Sequence, residues 1–169
     1  MLDDAAILRW SRQILLPDVG GRGQERLCAS HARITGDDPA ARLAVALLDA
    51  AGVRVSAAGG PAGAVTVALD GGGEVVVRWH GTAGVVATLV GRPCARCLAP
   101  ETLALAAAEA DDGRRAAAEV TGALVAAETL RLALGMATAG RVQRLDLERG
   151  VFDGRPIAPD AGCAGCGVA

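Results

Sequence analysis

The order of hydrophobic and polar positions along this chain changes repeatedly between a helical period and an extended one. Apolar residues that recur every three or four positions predict helices at residues 5–15, 23–30, 39–51, 101–110 and 114–135. Short runs of apolar and β-branched residues predict strands at 32–35, 54–57, 64–69, 74–79, 85–90, 141–148 and 151–157. Helices and strands interleaved in this way predict an α/β fold, with a mixed sheet flanked by helices.

The turn between the first strand and the helix at 39–51 has well-defined end signals. Asp38 suits the N-cap position, Pro39 suits the first helical position, and Gly52 suits a residue just past the helix end. A strand, a turn and a helix in this order open the nucleotide-binding folds, in which phosphate lies against the helix N-terminus. The sequence therefore predicts a reduced Rossmann-like fold.

The runs at 74–79 and 85–90 predict a β-hairpin, because the residues between them include glycines where a turn requires a positive φ. An exposed edge of this hairpin would be able to bind an extended peptide by adding a strand. An ordinary place inside the sheet is the alternative interpretation.

Four of the five cysteines fall into two pairs with the spacing Cys-X-X-Cys, namely Cys94 with Cys97 and Cys163 with Cys166. Two such pairs complete the tetrahedral shell of a zinc ion. A shell filled with sulfur has no open position for substrate, so the predicted zinc is structural and joins the middle of the chain to its C-terminus. Disulfides are the alternative, but an acidic start without an apolar signal segment favours a reducing, cytoplasmic location. We assign no role to Cys28.

Composition narrows the class of protein. The chain has 169 residues, 51% of them hydrophobic, so we expect a single domain spanning 1–169. Within it we distinguish a helical arm (1–30), a remnant of a nucleotide-binding half (31–70) and a zinc-bearing C-terminal part (71–169). A net charge of −2 and an aromatic content of 2% give no basis for binding nucleic acid. The charged residues interrupt every long apolar run, which argues against a membrane span.

Several of these motifs occur together in one known family. The run RWSRQILLP at residues 9–17, followed by GQERL at 23–27, resembles the N-terminal signature of the ThiF/MoeB family, the bacterial relatives of ubiquitin-activating enzymes. The two cysteine pairs, in the same order, are similar to that family's zinc half-sites. A helix with Gly122 and Glu128 resembles its C-terminal portion. The resemblance covers both ends of the chain.

This resemblance implies a function. Family members bind ATP and magnesium, adenylate the C-terminal glycine of a ubiquitin-like or sulfur-carrier protein, and usually act as dimers. The second arginine of their N-terminal motif reaches into the ATP site of the neighbouring subunit, and the matching residue here is Arg12. A guanidinium suits that role because its planar fork pairs with phosphate oxygens. The alternatives for Arg12 are a solvated helix position or a pair with a carboxylate such as Asp18 or Glu25.

The chain departs from the family where ATP would bind. The family's GxGGxG turn is replaced by GDDPAA at residues 36–41, which places two carboxylates, a proline without an N–H and an added methyl group against the phosphates. Asp38 can instead cap its own helix. The chain has no lysine to face a phosphate, and no transfer cysteine lies in the segment 105–120. Asp70 would match the family's magnesium-associated aspartate, but we expect no ATP or Mg²⁺ in this chain's own site.

The resemblance and these losses lead to one main hypothesis. The chain is a degenerate, non-catalytic subunit that dimerises with an active family member and donates Arg12 to that partner's ATP site. The active partner would act on a ubiquitin-like or sulfur-carrier protein, and a homodimer is also compatible with the sequence. A second hypothesis is a module that presents a ubiquitin-like carrier or a peptide to another enzyme. A third is an active adenylyltransferase with an improvised nucleotide site.

Overall fold

The computed structural model describes residues 1–60, 64–69, 73–98, 113–137 and 139–167. Its helices are α1 (Asp4–Arg9), α2 (Ser11–Ile14), α3 (Gly20–Ala29), α4 (Pro39–Ala51) and α5 (Arg114–Ala133). Its strands are β1 (His31–Thr35), β2 (Arg54–Ala58), β3 (Ala64–Leu69), β4 (Glu74–His80), β5 (Ala83–Leu89), β6 (Arg141–Asp146) and β7 (Val151–Pro156). The helix predicted at 101–110 and the candidate residue Asp70 lie outside the described residues.

The described strands form a seven-stranded mixed sheet in the order β2-β1-β3-β4-β5-β6-β7. β1 and β2 are parallel and are connected through α4, whereas the other neighbouring pairs are antiparallel. One βαβ unit therefore lies at one end of the sheet, because a parallel pair needs such a crossover connection. The prediction of an α/β fold with a mixed sheet and helices is confirmed.

The residues predicted to end α4 lie at its two caps in the structure. The side chain of Asp38 accepts a hydrogen bond from the backbone N–H of Ala41 at 2.9 Å. At the other end, Gly52 has a φ of 96°, a left-handed conformation that glycine adopts without the cost of a β-carbon. Both ends of α4 are therefore fixed by residues of its own segment.

The main core lies between one face of the sheet and the two long helices, α4 and α5. On β4, Val75, Val77 and Trp79 are buried on this face, at the two-residue spacing of a strand. The helices cross closely, since a β-carbon on Gly122 of α5 would lie 2.6 Å from the carbonyl oxygen of Ala40. Gly122 therefore sets the distance between α4 and α5.

The β4–β5 hairpin lies inside the sheet, and the prediction that it has an exposed edge for strand addition is wrong. β4 pairs with β3, and β5 pairs with β6 from Ala83 to Thr88. The hairpin pattern in the sequence is correct, but it does not show that strands distant along the chain, such as β6, cover its sides. Among the described strands, the edges of the sheet are β2 and β7.

The N-terminal arm is interrupted where the sequence predicts one helix over residues 5–15. Trp10, with φ −107° and ψ 20°, separates α1 from α2. Its indole N–H donates a hydrogen bond to the carbonyl oxygen of Ala50 at 3.1 Å. This tertiary contact with the end of α4 holds Trp10 in place and overrides the helical period of the arm.

Candidate metal centre and the elements of the predicted nucleotide site

The four paired cysteines converge on one point of the structure. Their sulfur atoms all lie within 4.8 Å of one another. The Sγ atoms of Cys94 and Cys163 are 3.7 Å apart, and those of Cys97 and Cys166 are 3.3 Å apart. A disulfide would require about 2.05 Å, whereas four sulfurs at about 2.3 Å from a zinc ion are about 3.8 Å apart. The four cysteines are free thiols, and their arrangement could hold a metal ion.

Short turns aim each pair of sulfurs at the common point. The first pair brackets a 3₁₀ turn, Ala95–Cys97, in which the N–H of Cys97 donates to the carbonyl oxygen of Cys94 at 2.9 Å. In the second pair, the N–H of Gly167 donates to the carbonyl oxygen of Cys163 at 2.6 Å. Each turn is closed by a backbone hydrogen bond, which brings the two sulfurs of its pair to the same side.

Gly165 allows the two turns to approach each other. A β-carbon at this position would lie 2.9 Å from the Sγ atom of Cys94 and 3.0 Å from Cδ of Arg96. The backbone N–H of Gly165 lies 3.4 Å from the Sγ atom of Cys163 and donates to it. A larger residue at 165 would push the second turn away from the first and separate the sulfurs.

The hydrogen bonds within the cluster act on its thiols in opposite directions. Backbone N–H donors of Gly165 and Cys166 lower the pKa of Cys163 to about 6, because they stabilise its thiolate. The hydrogen bond between Cys166 and Cys97 raises the pKa of Cys166 to about 11, because the shared proton is retained. A metal ion binds thiolates, so its binding would displace that proton.

A metal ion in the cysteine cluster would fasten the C-terminal segment to the sheet. Leu98 follows the first cysteine pair, and Ile157 follows β7 on the way to the second pair. Both pack against a small apolar cluster formed by Val85, Ala87 and Val142. This cluster lies on the sheet face opposite the main core, since Val86 between its members faces the core. A metal ion would therefore join two segments that also cover this second face.

Asp38 closes the N-terminus of α4, where the family resemblance predicts the remnant of a phosphate-binding turn. Its Oδ1 atom accepts from the N–H of Ala41, and its Oδ2 atom accepts from the indole N–H of Trp79 at 2.6 Å. Asp38 and Trp79 are 8% and 5% exposed, and the guanidinium of Arg114 lies 5.8 Å from the centre of the Trp79 ring. The carboxylate of Asp38 thus occupies the N-terminal end of α4, which would otherwise be free to bind an anion.

The rest of the turn is also engaged in contacts within the chain. Asp37 is exposed and lies 3.4 Å from the guanidinium of Arg42, which also donates to the carbonyl oxygen of Asp37. A β-carbon at Gly60 would lie 3.1 Å from the backbone nitrogen of Gly36, so the segment after β2 lies directly against the start of the turn. The turn is packed, with little room beside its backbone.

Arg12 lies on α2 and is exposed. In the ranges that the structure describes, it has no hydrogen-bond or ion-pair partner. Glu25, one of the two carboxylates considered as its partner, lies 3.5 Å from the N-terminal amino group instead. Arg12 follows the anchored Trp10 by two residues, so the arm is fixed at its base while the guanidinium is presented to solvent.

Two buried polar residues have roles that the sequence did not reveal. Gln24 is fully buried, and its Nε2 atom donates to the carbonyl oxygen of Ala51 at 2.9 Å, next to the carbonyl bound by Trp10. Both arm residues therefore satisfy carbonyls at the end of α4 that have no partner within the helix. The only sequence signal for the roles of Gln24 and Trp10 was the position of both residues in the N-terminal motif.

The second is Glu128, which is 2% exposed on α5. Its carboxylate accepts from the hydroxyl of Thr88 at 2.8 Å and pairs with the guanidinium of Arg141 at 2.8 Å. A single charged residue on a helix face of otherwise uncharged residues was the available signal, since a buried charge requires partners. The network ties α5 to β5 and β6.

Comparisons with known proteins identify no family for this chain. No protein-family model matches it, and neither does any curated protein. The ThiF/MoeB resemblance therefore stays a prediction from the motifs. None of the helices in the described ranges has the length and apolar character needed to cross a membrane.

Proposed function

We propose that Cys94, Cys97, Cys163 and Cys166 bind a structural zinc ion. The four-sulfur donor set supports this assignment, because it suits zinc and leaves no coordination position for a substrate. The sulfur separations of 3.3 and 3.7 Å support it as well, since they are close to those of a tetrahedral site. A zinc site of four thiolates requires reduced cysteines, and this requirement fits a reducing compartment such as the cytoplasm.

We infer further that the chain is a degenerate ThiF/MoeB-like subunit without catalytic activity of its own. The single observation that carries this inference is the double hydrogen bond of Asp38 to Ala41 and Trp79. A triphosphate at the same helix end would have to displace a buried carboxylate and overcome its negative charge. The β1–α4–β2 unit is, in this proposal, the remnant of a Rossmann-like nucleotide-binding half.

The functional group that this subunit would supply to a partner is the guanidinium of Arg12. It is exposed and unpaired among the described residues, and the exposed apolar side chains of Leu8, Leu15 and Leu16 lie close to it in the sequence. Apolar surface beside an unpaired cation fits an interface in which the cation reaches an anionic site on the partner. The partner would be an active adenylating relative that acts on a ubiquitin-like or sulfur-carrier protein.

Mixing experiments test this function. The purified chain is added to an active ThiF/MoeB-family enzyme, and the ATP–pyrophosphate exchange rate is measured with the carrier protein present. We expect exchange to rise on mixing and the chain alone to show none. Arg12→Ala should cancel the rise, whereas Arg22→Ala, which removes another exposed arginine of the arm, should keep it. Failure to raise exchange, or an equal loss in both variants, would remove the proposed role of Arg12.

The alternative functions have less support from the geometry. The carrier-presenting hypothesis requires a free edge on the β4–β5 hairpin. Both strands of that hairpin are paired with neighbouring strands. An active adenylyltransferase needs a phosphate site where Asp38 is now buried. Neither alternative has an observation in its favour that the partner-subunit proposal lacks.

A further inference from the structure

A groove with a volume of about 520 Å³ lies between β7 and the C-terminal end of α5, and neither the four cysteines nor Arg12 line it. Its floor includes Gln143 and Gly154, which face each other across β6 and β7. Because Gly154 has no side chain, the floor is open above Gln143. Phe152 and Met136 line the groove and are 61% and 42% exposed. The volume is typical of a small-molecule site.

Two polar atoms of residues that line this groove are covered from solvent and have no partner among the described residues. Gln143 is only 8% exposed, and its Oε1 atom accepts no hydrogen bond. The Nε atom of Arg141, two residues earlier on the same face of β6, donates none. Buried polar groups are nearly always hydrogen-bonded, since leaving them unpaired is costly. Because both atoms are covered from solvent, a ligand would reach them only with a rotation of these side chains, and it would then offer a donor to Gln143 and an acceptor to Arg141.

The charges around the groove favour an anionic acceptor. Glu128 supplies one carboxylate, whose Oε1 atom lies 2.8 Å from the guanidinium of Arg141 and 3.6 Å from that of Arg131. Its Oε2 atom is bound by Thr88. Two guanidinium groups thus face one carboxylate, and the groove has a net positive charge. A carboxylate ligand would complete this network, because guanidinium groups bind carboxylates through paired N–H donors.

We propose that this groove binds a small ligand that carries three groups: a carboxylate, an N–H donor close to it, and an apolar side chain. The carboxylate would pair with Arg131 and Arg141, the N–H would donate to the Oε1 atom of Gln143, and the side chain would lie against Phe152 and Met136. An N-acylated apolar amino acid and the C-terminal residue of a peptide share this chemistry. The proposal depends neither on the zinc ion nor on Arg12.

Nitrogen-15 NMR titration of the full chain tests the proposal with N-acetyl-L-leucine as the probe. A ligand with about a dozen heavy atoms reaches a Kd on the order of millimolar. Binding should shift the side-chain amide signal of Gln143 and the backbone signal of Gly154. N-acetyl-L-leucinamide, which lacks the carboxylate, should bind about tenfold more weakly, since a hydrogen bond to a charged group contributes that much.

Two variants make the test specific. Gly154→Leu fills the floor and should abolish binding. It is compatible with the strand, because a β-carbon at Gly154 would lie no closer than 3.6 Å to any neighbour. Arg131→Gln leaves the floor intact and should weaken acid binding about tenfold while sparing the amide. Arg149→Gln, in the turn after β6, is the charge-matched control and should change neither.

A short peptide ending in leucine distinguishes the two sources of this ligand. Tighter binding than N-acetyl-L-leucine supports a peptide C-terminus, and equal binding supports a free acylated amino acid. The proposal would be overturned if the acid and the amide bound with equal affinity, or if Gly154→Leu bound the probe as well as the unaltered chain does. It would also be overturned if about 10 mM probe, well above the expected Kd, caused no shifts.

Discussion

Replacement of Asp38 by alanine gives the clearest test of how the turn before α4 is held. The carboxylate accepts two hydrogen bonds, one from the N–H of Ala41 at 2.9 Å and one from the indole of Trp79 at 2.6 Å. Asp38→Ala removes both at once. It leaves the helix without a side-chain cap and leaves a buried indole N–H without an acceptor.

The expected loss of unfolding free energy is the sum of these two effects. Loss of an N-cap costs about 1 kcal/mol, and a buried donor left without a partner costs about 1–3 kcal/mol. We therefore expect Asp38→Ala to lower the free energy of unfolding by about 2–4 kcal/mol. For a chain of this length the melting temperature should fall by roughly 5–15 °C.

Urea unfolding followed by circular dichroism measures this difference. Asp37→Ala is the matched control, because it removes the same charge from the adjacent position. The carboxylate of Asp37 is 76% exposed and pairs only with exposed Arg42, so we expect a loss of about 0.5 kcal/mol or less. Asp38→Asn should lie between the two, since asparagine keeps the cap but offers one oxygen to two donors. Equal losses for Asp38→Ala and Asp37→Ala would refute the assigned role of Asp38.

Two further predictions concern the metal centre and the buried carboxylate. Cys97→Ser should remove bound zinc, measured by elemental analysis, and should lower stability by several of the roughly 10 kcal/mol that structural zinc contributes. Cys28→Ser, outside the cluster, should keep the zinc, and loss of metal from both variants would contradict the assigned ligands. Glu128→Ala should destabilise the chain by about 2–4 kcal/mol in urea unfolding, because it leaves Arg141 and Thr88 without their acceptor. Glu119→Ala, at an exposed position of the same helix, should cost about 0.5 kcal/mol or less, and a similar loss from both would refute the network.

Local signals in the sequence predicted most of the elements and the grouping of the four cysteines. The ends of α4 could be located because Asp38 and Gly52 act through contacts within a few residues. The cysteine pairs could be joined because a metal shell requires four ligands, whatever their separation along the chain. In each case the physical cause lies either in neighbouring residues or in fixed coordination chemistry.

Features that depend on distant segments could not be predicted in this way. The break at Trp10 arises from its bond to Ala50, and the hairpin lost its expected edge because β6 is paired with β5. The second bond of Asp38, to Trp79, joins residues that no local pattern relates. Sequence periodicity reports which face of an element is apolar, but it does not identify the segment that covers it.

In the proposed function, the carboxylate of Asp38 occupies the helix end where phosphate would otherwise bind, so any role in adenylation is exercised through a partner. Isothermal titration calorimetry of the purified chain with ATP and Mg²⁺ shows whether the chain binds the nucleotide, and an active ThiF/MoeB-family enzyme is the positive control. We expect a saturable heat of binding for the control enzyme and none for this chain. Saturable binding of ATP to this chain, lost when magnesium is omitted, would contradict this expectation.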